Sequence, residues 1–112
     1  MIRGSIVLVP FPFTNLSQKK LRPAIVISKE SFGHDVIVAF ISSRIGRSKG
    51  PTDFVLSSVD REFTQTGLKV SSIFRMNKLV TLDQDLIVGE LGGVGRNTQK
   101  ALDQCLRYAL AL

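Results

Sequence analysis

Before Asn97 the apolar residues come in short β-branched runs, and each run is closed by a turn former. The longest of them, "IVLVPFPF", carries two prolines inside it. Proline has no N–H to give to a ladder, so it belongs at strand ends or sheet edges. This punctuation excludes long helices from most of the chain and predicts strands. They are Ser5–Phe11, Ala24–Ser28, Val36–Ser42, Asp53–Ser58 and Leu68–Arg75, with shorter pieces at "KLVTL" and "LIVGEL". Gly33 and Asp35 form the turn between the second and third strands, and the breaker "KGP" precedes the fourth.

The period changes after "GGVGRN". Ala101, Leu102, Cys105, Leu106, Ala109 and Leu110 recur at helical spacing. The spacing predicts one C-terminal helix of three to four turns, with Asn97 or Thr98 as its N-cap and Asp103 near the first turn. Its stripe needs an apolar surface, which the side of a sheet supplies. The expected fold class is mainly β (α+β): a small, SH3-like, strongly bent antiparallel barrel with a C-terminal helix, formed by residues 1–112 as one domain.

No run approaches the roughly 20 apolar residues of a membrane helix. No small-residue cleavage site follows the first run, so a secretory signal is not expected. Cys105 is the only cysteine. No internal disulfide can form, and the reducing cytoplasm is the expected compartment. Fifteen Lys and Arg against nine Asp and Glu give a net charge of +6. The cations concentrate in two inter-strand segments, with Lys19, Lys20 and Arg22 in one and Arg44, Arg47 and Lys49 in the other, while the acids are spread out. That distribution suits a polyanionic partner.

Several motifs fail on inspection. In "VGELGGVGRNTQ" the glycines Gly89, Gly92, Gly93 and Gly95 fit neither phosphate-loop spacing, and a flexible turn into the helix is expected. Asp83 and Asp85 alternate in "TLDQDL", but no third ligand stands nearby in sequence, so no metal is expected. His34 is the only histidine and is read as a surface residue, which excludes a two-histidine acid/base mechanism. Cys105 lies on the apolar stripe and is read as a small core residue.

What remains is a set of arginines and hydroxyls at strand ends. In "KKLRPAIVIS", Pro23 restricts Arg22 to extended backbone at the entry of the second strand. Ser42 and Ser43 close the third strand and lead into Arg44. Arg75 closes the fifth, with Asn77 two residues on and on the same face of an extended chain. Arginine clasps phosphate through its planar donor fork, and a neighbouring hydroxyl can donate to a non-bridging oxygen. Together these groups suit a phosphorane transition state. The bland reading is that strand ends near solvent simply carry polar residues.

The order of these residues resembles a known family. "GSIVLVPFPFTNLSQKKLRPAIVIS", "VAFISSRIGRSKGPTDFVL" and "GLKVSSIFRMNKLVTLD" resemble, in sequence, the opening strand, basic loop and R-P strand, the third-strand [TS] with its "PT" turn, and the R-x-D segment of the MazF/PemK toxin-antitoxin ribonucleases. The resemblance covers essentially the whole chain. It implies a sequence-specific endoribonuclease toxin that cuts single-stranded RNA without a metal or cofactor and arrests growth. The 2′-hydroxyl of the substrate attacks the adjacent phosphate, leaving a 2′,3′-cyclic phosphate and a 5′-hydroxyl.

On this resemblance Arg22 and Ser42 are the catalytic pair. Proteins do not deprotonate arginine, so stabilisation of the transition state is its expected role. Serine in place of the family's threonine keeps the hydroxyl without the methyl that restricts it. Asn77 stands where some members carry an aspartate, which leaves Arg75 and Asn77 as substrate contacts. Lys19, Lys20, Ser43, Arg44, Arg47 and Lys49 are the expected RNA-binding residues, on the loops Asn15–Leu21 and Ser43–Lys49. The resemblance also implies a homodimer and a small acidic antitoxin. Two rival functions fit the same fold: a gyrase poison of the CcdB type, and a non-catalytic barrel that binds RNA or peptide.

Overall fold

The computed structural model describes residues 2–11, 20–29, 33–46 and 50–112. Six strands, β1 (Ser5–Phe11), β2 (Lys20–Val26), β3 (Asp35–Ser42), β4 (Asp53–Leu56), β5 (Ser72–Asp83) and β6 (Gly89–Gly93), precede one helix, α1 (Arg96–Leu110). All pairings are antiparallel, in the order β4-β5-β3-β2-β1-β6. The sheet curls into a half-barrel carrying the helix, as the strand punctuation and the single helical repeat predict.

Side-chain alternation gives the sheet two apolar faces. Ile6, Ile25, Ala39, Ile41, Phe74 and Met76 form one, which α1 covers with Leu102, Cys105 and Leu106. Val7, Val9, Ala24, Val26, Val36, Val38 and Leu82 form the other, where Phe40, Val80 and Ile87 also pack. No helix of the described residues lies on this second side, so the curl itself buries it. Full burial of Leu102 anchors the helix, a contribution of about 1.5–3 kcal/mol.

Several expectations need correction. β2 begins at Lys20 rather than Ala24, so Arg22 lies inside the strand, paired with Val9. Pro23 is tolerated because β3 pairs with β2 only from Ala24 onward, which leaves an edge-like position. The fifth strand and "KLVTL" form one strand of 12 residues. A bulge joins them: Ala39 pairs with Leu79 but Phe40 pairs with Arg75, so Met76–Lys78 loop out of register.

The glycine-rich stretch is no flexible turn, since Gly89–Gly93 is strand β6, paired with β1. Gly92 is required by close approach: a Cβ there would lie 2.2 Å from the Gln65 carbonyl oxygen.

The helix cap is remote. The N-cap is Gly95, which offers no side chain, and the free N–H groups of the first turn reach the Glu62 carboxylate instead. Asn97 N–H donates to Oε2 at 3.1 Å and Thr98 N–H to Oε1 at 2.8 Å, with the Thr98 hydroxyl adding a bond of 2.6 Å. The Thr98 hydroxyl, then its N–H, hold the Glu62 carboxyl below its ordinary pKa, with smaller help from Asn97 and Arg61 against partial burial. Asp103 sits mid-helix, where it pairs with Arg3 at 2.5 Å and accepts from Gln99 at 3.0 Å. Burial opposes its charge, but the hydrogen bonds from Arg3 and Gln99 and the nearby Arg3 and Arg107 outweigh that and lower its pKa.

Candidate active site

The β2·β3 ladder ends at the pair Ala24–Phe40. Two residues further along each strand, in the same register and on the same face, are Arg22 and Ser42. Both line a cleft of about 360 Å³ at this end of the half-barrel. Among the described residues, Arg44, Arg75 and Lys78 complete a set of four lining cations with Arg22, and no carboxylate joins them. The apolar wall is made by Phe11 and Phe40, whose rings lie 5.0 Å apart at 59°, with Ile41 and Leu79.

Each lining residue has a local cause. Arg22 continues the row Val26, Ala24 along β2, so it emerges where the apolar face runs out. Ser42 does the same on β3 after Val36, Val38 and Phe40. Its Oγ accepts a 3.1 Å hydrogen bond from the Arg44 N–H. That bond fixes the rotamer a serine would otherwise leave loose, and keeps the hydroxyl proton available to donate. Arg75 is brought in by register with Phe40, and Lys78 by the bulge. Opposite Arg75, on the edge strand β4, is Asp53, whose Oδ1 lies 3.7 Å from Arg75 Nε.

Other candidates lie apart from the cleft lining. Lys20 is exposed next to Arg22 on β2, and Ser43 is exposed beside Ser42. Asn77 is exposed in the bulge, and the alternation with Arg75 that the sequence suggests is broken there. Lys19, Arg47 and Lys49 lie outside the described residues, as do most of Asn15–Leu21 and the end of Ser43–Lys49. Sequence reasoning missed Lys78, Phe11, Phe40 and Asp53. Strict alternation with Ser42 and Val9 marks the two phenylalanines, whereas nothing in the sequence announces the bulge that presents Lys78.

Asp83 and Asp85 do acquire a third neighbour. The turn before β3 brings in His34, whose carbonyl accepts from the Gln84 N–H at 2.7 Å, and donor atoms of all three residues lie within 4.8 Å of one another. All three side chains are exposed, and Asp83 Oδ1 accepts from the Asp85 N–H at 2.8 Å. The cluster sits at the opposite end of β3 from Ser42. Cys105 packs against the helix-side core, where burial and then the Asp53 charge push its thiol pKa up. It has the environment of a structural thiol, as the sequence suggests. No helix of the described residues is long and apolar enough to cross a membrane.

The model of the PemK-like, MazF-like toxins of type II toxin-antitoxin systems matches residues 2–110. The chain belongs to this family. Three solved structures show its fold. An endoribonuclease bound to its cognate antitoxin, from a mycobacterial species, is 19% identical with a TM-score of 0.78 over 100% of this chain and 96% of that one. The MazF toxin of a MazE–MazF complex from Deinococcus radiodurans is 20% identical with a TM-score of 0.74, over 100% and 97%. A MazF toxin of Mycobacterium tuberculosis is 19% identical with a TM-score of 0.72, over 96% and 97%. No curated protein sequence matches the chain. Within this half-barrel, Arg22 and Ser42, the pair expected from the sequence resemblance, both line the cleft.

Proposed function

We propose that the protein is a sequence-specific endoribonuclease toxin that cuts single-stranded RNA by attack of the substrate's own 2′-hydroxyl. The observation that carries this reading is the facing pair Arg22 and Ser42 in a cleft with three further cations. Arg22 and the Ser42 hydroxyl meet the non-bridging oxygens of the scissile phosphate, where charge grows in the phosphorane. The 2′-oxygen–phosphorus bond forms as the phosphorus–5′-oxygen bond breaks. The 2′-hydroxyl proton passes to water, and the leaving 5′-oxygen takes one back. A 2′,3′-cyclic phosphate and a 5′-hydroxyl remain.

Arg44, Arg75 and Lys78 bind flanking phosphates, and Phe11 and Phe40 offer faces on which an unpaired base stacks. No chemical step falls to a metal, because the attacking group belongs to the substrate and its charge is met by the arginines. The same cationic cleft suits an acidic antitoxin segment, and the family fold suits a homodimer; both are part of the proposal.

The test is incubation of a long single-stranded RNA with purified protein in excess EDTA, with product ends mapped. Specific cuts ending in cyclic phosphate are the expected result. Intact RNA across several sequences and salt concentrations would move the protein to the gyrase-poison or pure-binding class. Cleavage that EDTA abolishes would turn attention to His34, Asp83 and Asp85.

A further inference from the structure

Among the described residues, Asp53 is the one carboxylate that the strand pairing sets directly across from a cation of the cleft. Its side chain is only 6% exposed, and its Oδ1 and Arg75 Nε, 3.7 Å apart, are both closed to solvent. Neither atom has a hydrogen-bond partner among the described residues. The separation is longer than the roughly 2.7–2.9 Å of a charge-assisted hydrogen bond, so attraction of charges alone ties the two. A carboxylate in such a place loses its hydration, and an apolar side chain would be the more stabilising occupant. A carboxylate at this place therefore points to a role beyond stability.

The geometry of Arg75 supplies one. A third of its side chain is exposed while Nε is not, and its terminal nitrogens make no hydrogen bond among the described residues. The guanidinium is held from behind at Nε. Among the described residues, none occupies its terminal donors.

We infer that Asp53 is a positioning residue: its buried charge holds the Arg75 guanidinium at the cleft with the terminal donors turned to an RNA phosphate. This inference rests on the ribonuclease reading above. Arg75 by itself would be pushed out of line by Arg22, Arg44 and Lys78, and the Asp53 charge opposes that repulsion from the side away from substrate.

The test is a double-mutant cycle on cleavage of a long single-stranded RNA, with rates referred to folded protein by circular dichroism melts. At sub-saturating RNA, Asp53→Asn is expected to slow cleavage by about 10- to 100-fold through a raised KM, with kcat changed less than about twofold. Asp53→Glu, which restores the charge, recovers most of that loss. In an Arg75→Ala background, Asp53→Asn changes the rate by less than about twofold, because the residue it acts through is gone. An equal loss in both backgrounds, or a wild-type rate in Asp53→Asn, overturns the inference while wild-type cleavage leaves the ribonuclease reading intact. A wild-type protein that cuts no RNA overturns both. Should Asp53→Asn not fold, the Arg75 Nε proton of the wild-type protein decides by NMR: slow exchange with water supports the inference, and exchange as fast as that of an exposed arginine overturns it.

Discussion

Arg22 and Ser42 face one another two residues beyond the last pair of the β2·β3 ladder, Ala24 with Phe40. The relationship is a property of register. A one-residue slip would send both side chains to the helix-covered face. Packing prevents it, because a slip would drive the valines of this row under the helix and Ile25, Ala39 and Ile41 into the curl, where neither set fits. Packing of the core thus aims the two groups that the proposed chemistry needs.

If these groups stabilise the phosphorane, removing either one lowers the rate without unfolding the protein. Arg22→Ala is expected to cost about 10²- to 10³-fold in kcat, and Ser42→Ala about 10²-fold. Ser42→Thr should retain activity, since it keeps the hydroxyl and adds only a methyl. The measurement is cleavage at saturating RNA, with melting temperature as the control for folding. Normal rates in both alanine variants would remove the pair from the mechanism.

Glu62 makes a separate prediction about stability and pH. Its folded pKa lies below the ordinary value of 4.5, because the charged carboxylate accepts the bonds of Thr98 and Asn97. A depressed folded pKa contributes stability that is present above the unfolded value and is lost as pH falls through the folded value. Glu62→Gln should therefore be less stable than wild type near neutrality, with the gap closing as pH drops below 4.5. Urea unfolding of both proteins across that range checks it. A gap that stays constant into acid would show that the cap works by shape and not by charge.

The legibility of the sequence follows from which interactions are local. Strand β1, the period of α1 and the class of fold are written in neighbouring residues: a β-branched run closed by proline, and a stripe at helical spacing. Arg22 and Ser42 are singled out in the sequence by the family resemblance, since the local pattern fits ordinary polar strand ends equally well. The remaining features depend on pairs distant in sequence. The cap of α1 comes from Glu62, 35 residues before Asn97. His34 meets Asp83 and Asp85 only when β3 pairs with β5. Asp53 gains its meaning from Arg75 across a ladder, and Lys78 from a bulge that no local propensity encodes.

Gly92 illustrates the same point as a stability prediction. Read along the chain it belongs to a loose glycine run, but in space it lies against the backbone of Gln65 and Thr66. The Cβ of Gly92→Ala would meet carbonyl atoms that cannot rotate away, so β6 or the turn at Thr64–Thr66 must shift. The expected loss is about 1–3 kcal/mol in urea unfolding. Gly89→Ala, where a Cβ meets nothing within 4 Å, serves as the matched control and should change little. Equal losses at the two positions would mean that chain entropy, and not close approach, decides.

Lys78 separates phosphate binding from chemistry. It lines the cleft with Arg22, Arg44 and Arg75, but it lies on the bulge and outside the Arg22–Ser42 register. Its expected role is to neutralise one phosphate of a bound strand. In single-stranded RNA each such contact contributes about 0.7 to the slope of log affinity against log salt. Binding measured in a Ser42→Ala background, where the RNA stays intact, should therefore lose about 0.7 of slope on Lys78→Ala. Lys100→Ala, on the exposed face of α1, should leave the slope unchanged. The rate at saturating RNA with Ser42 intact should fall by less than about tenfold in Lys78→Ala, since the residue binds substrate away from the reacting phosphate. A slope equal to that of the parent protein would place the bound strand elsewhere than along the bulge.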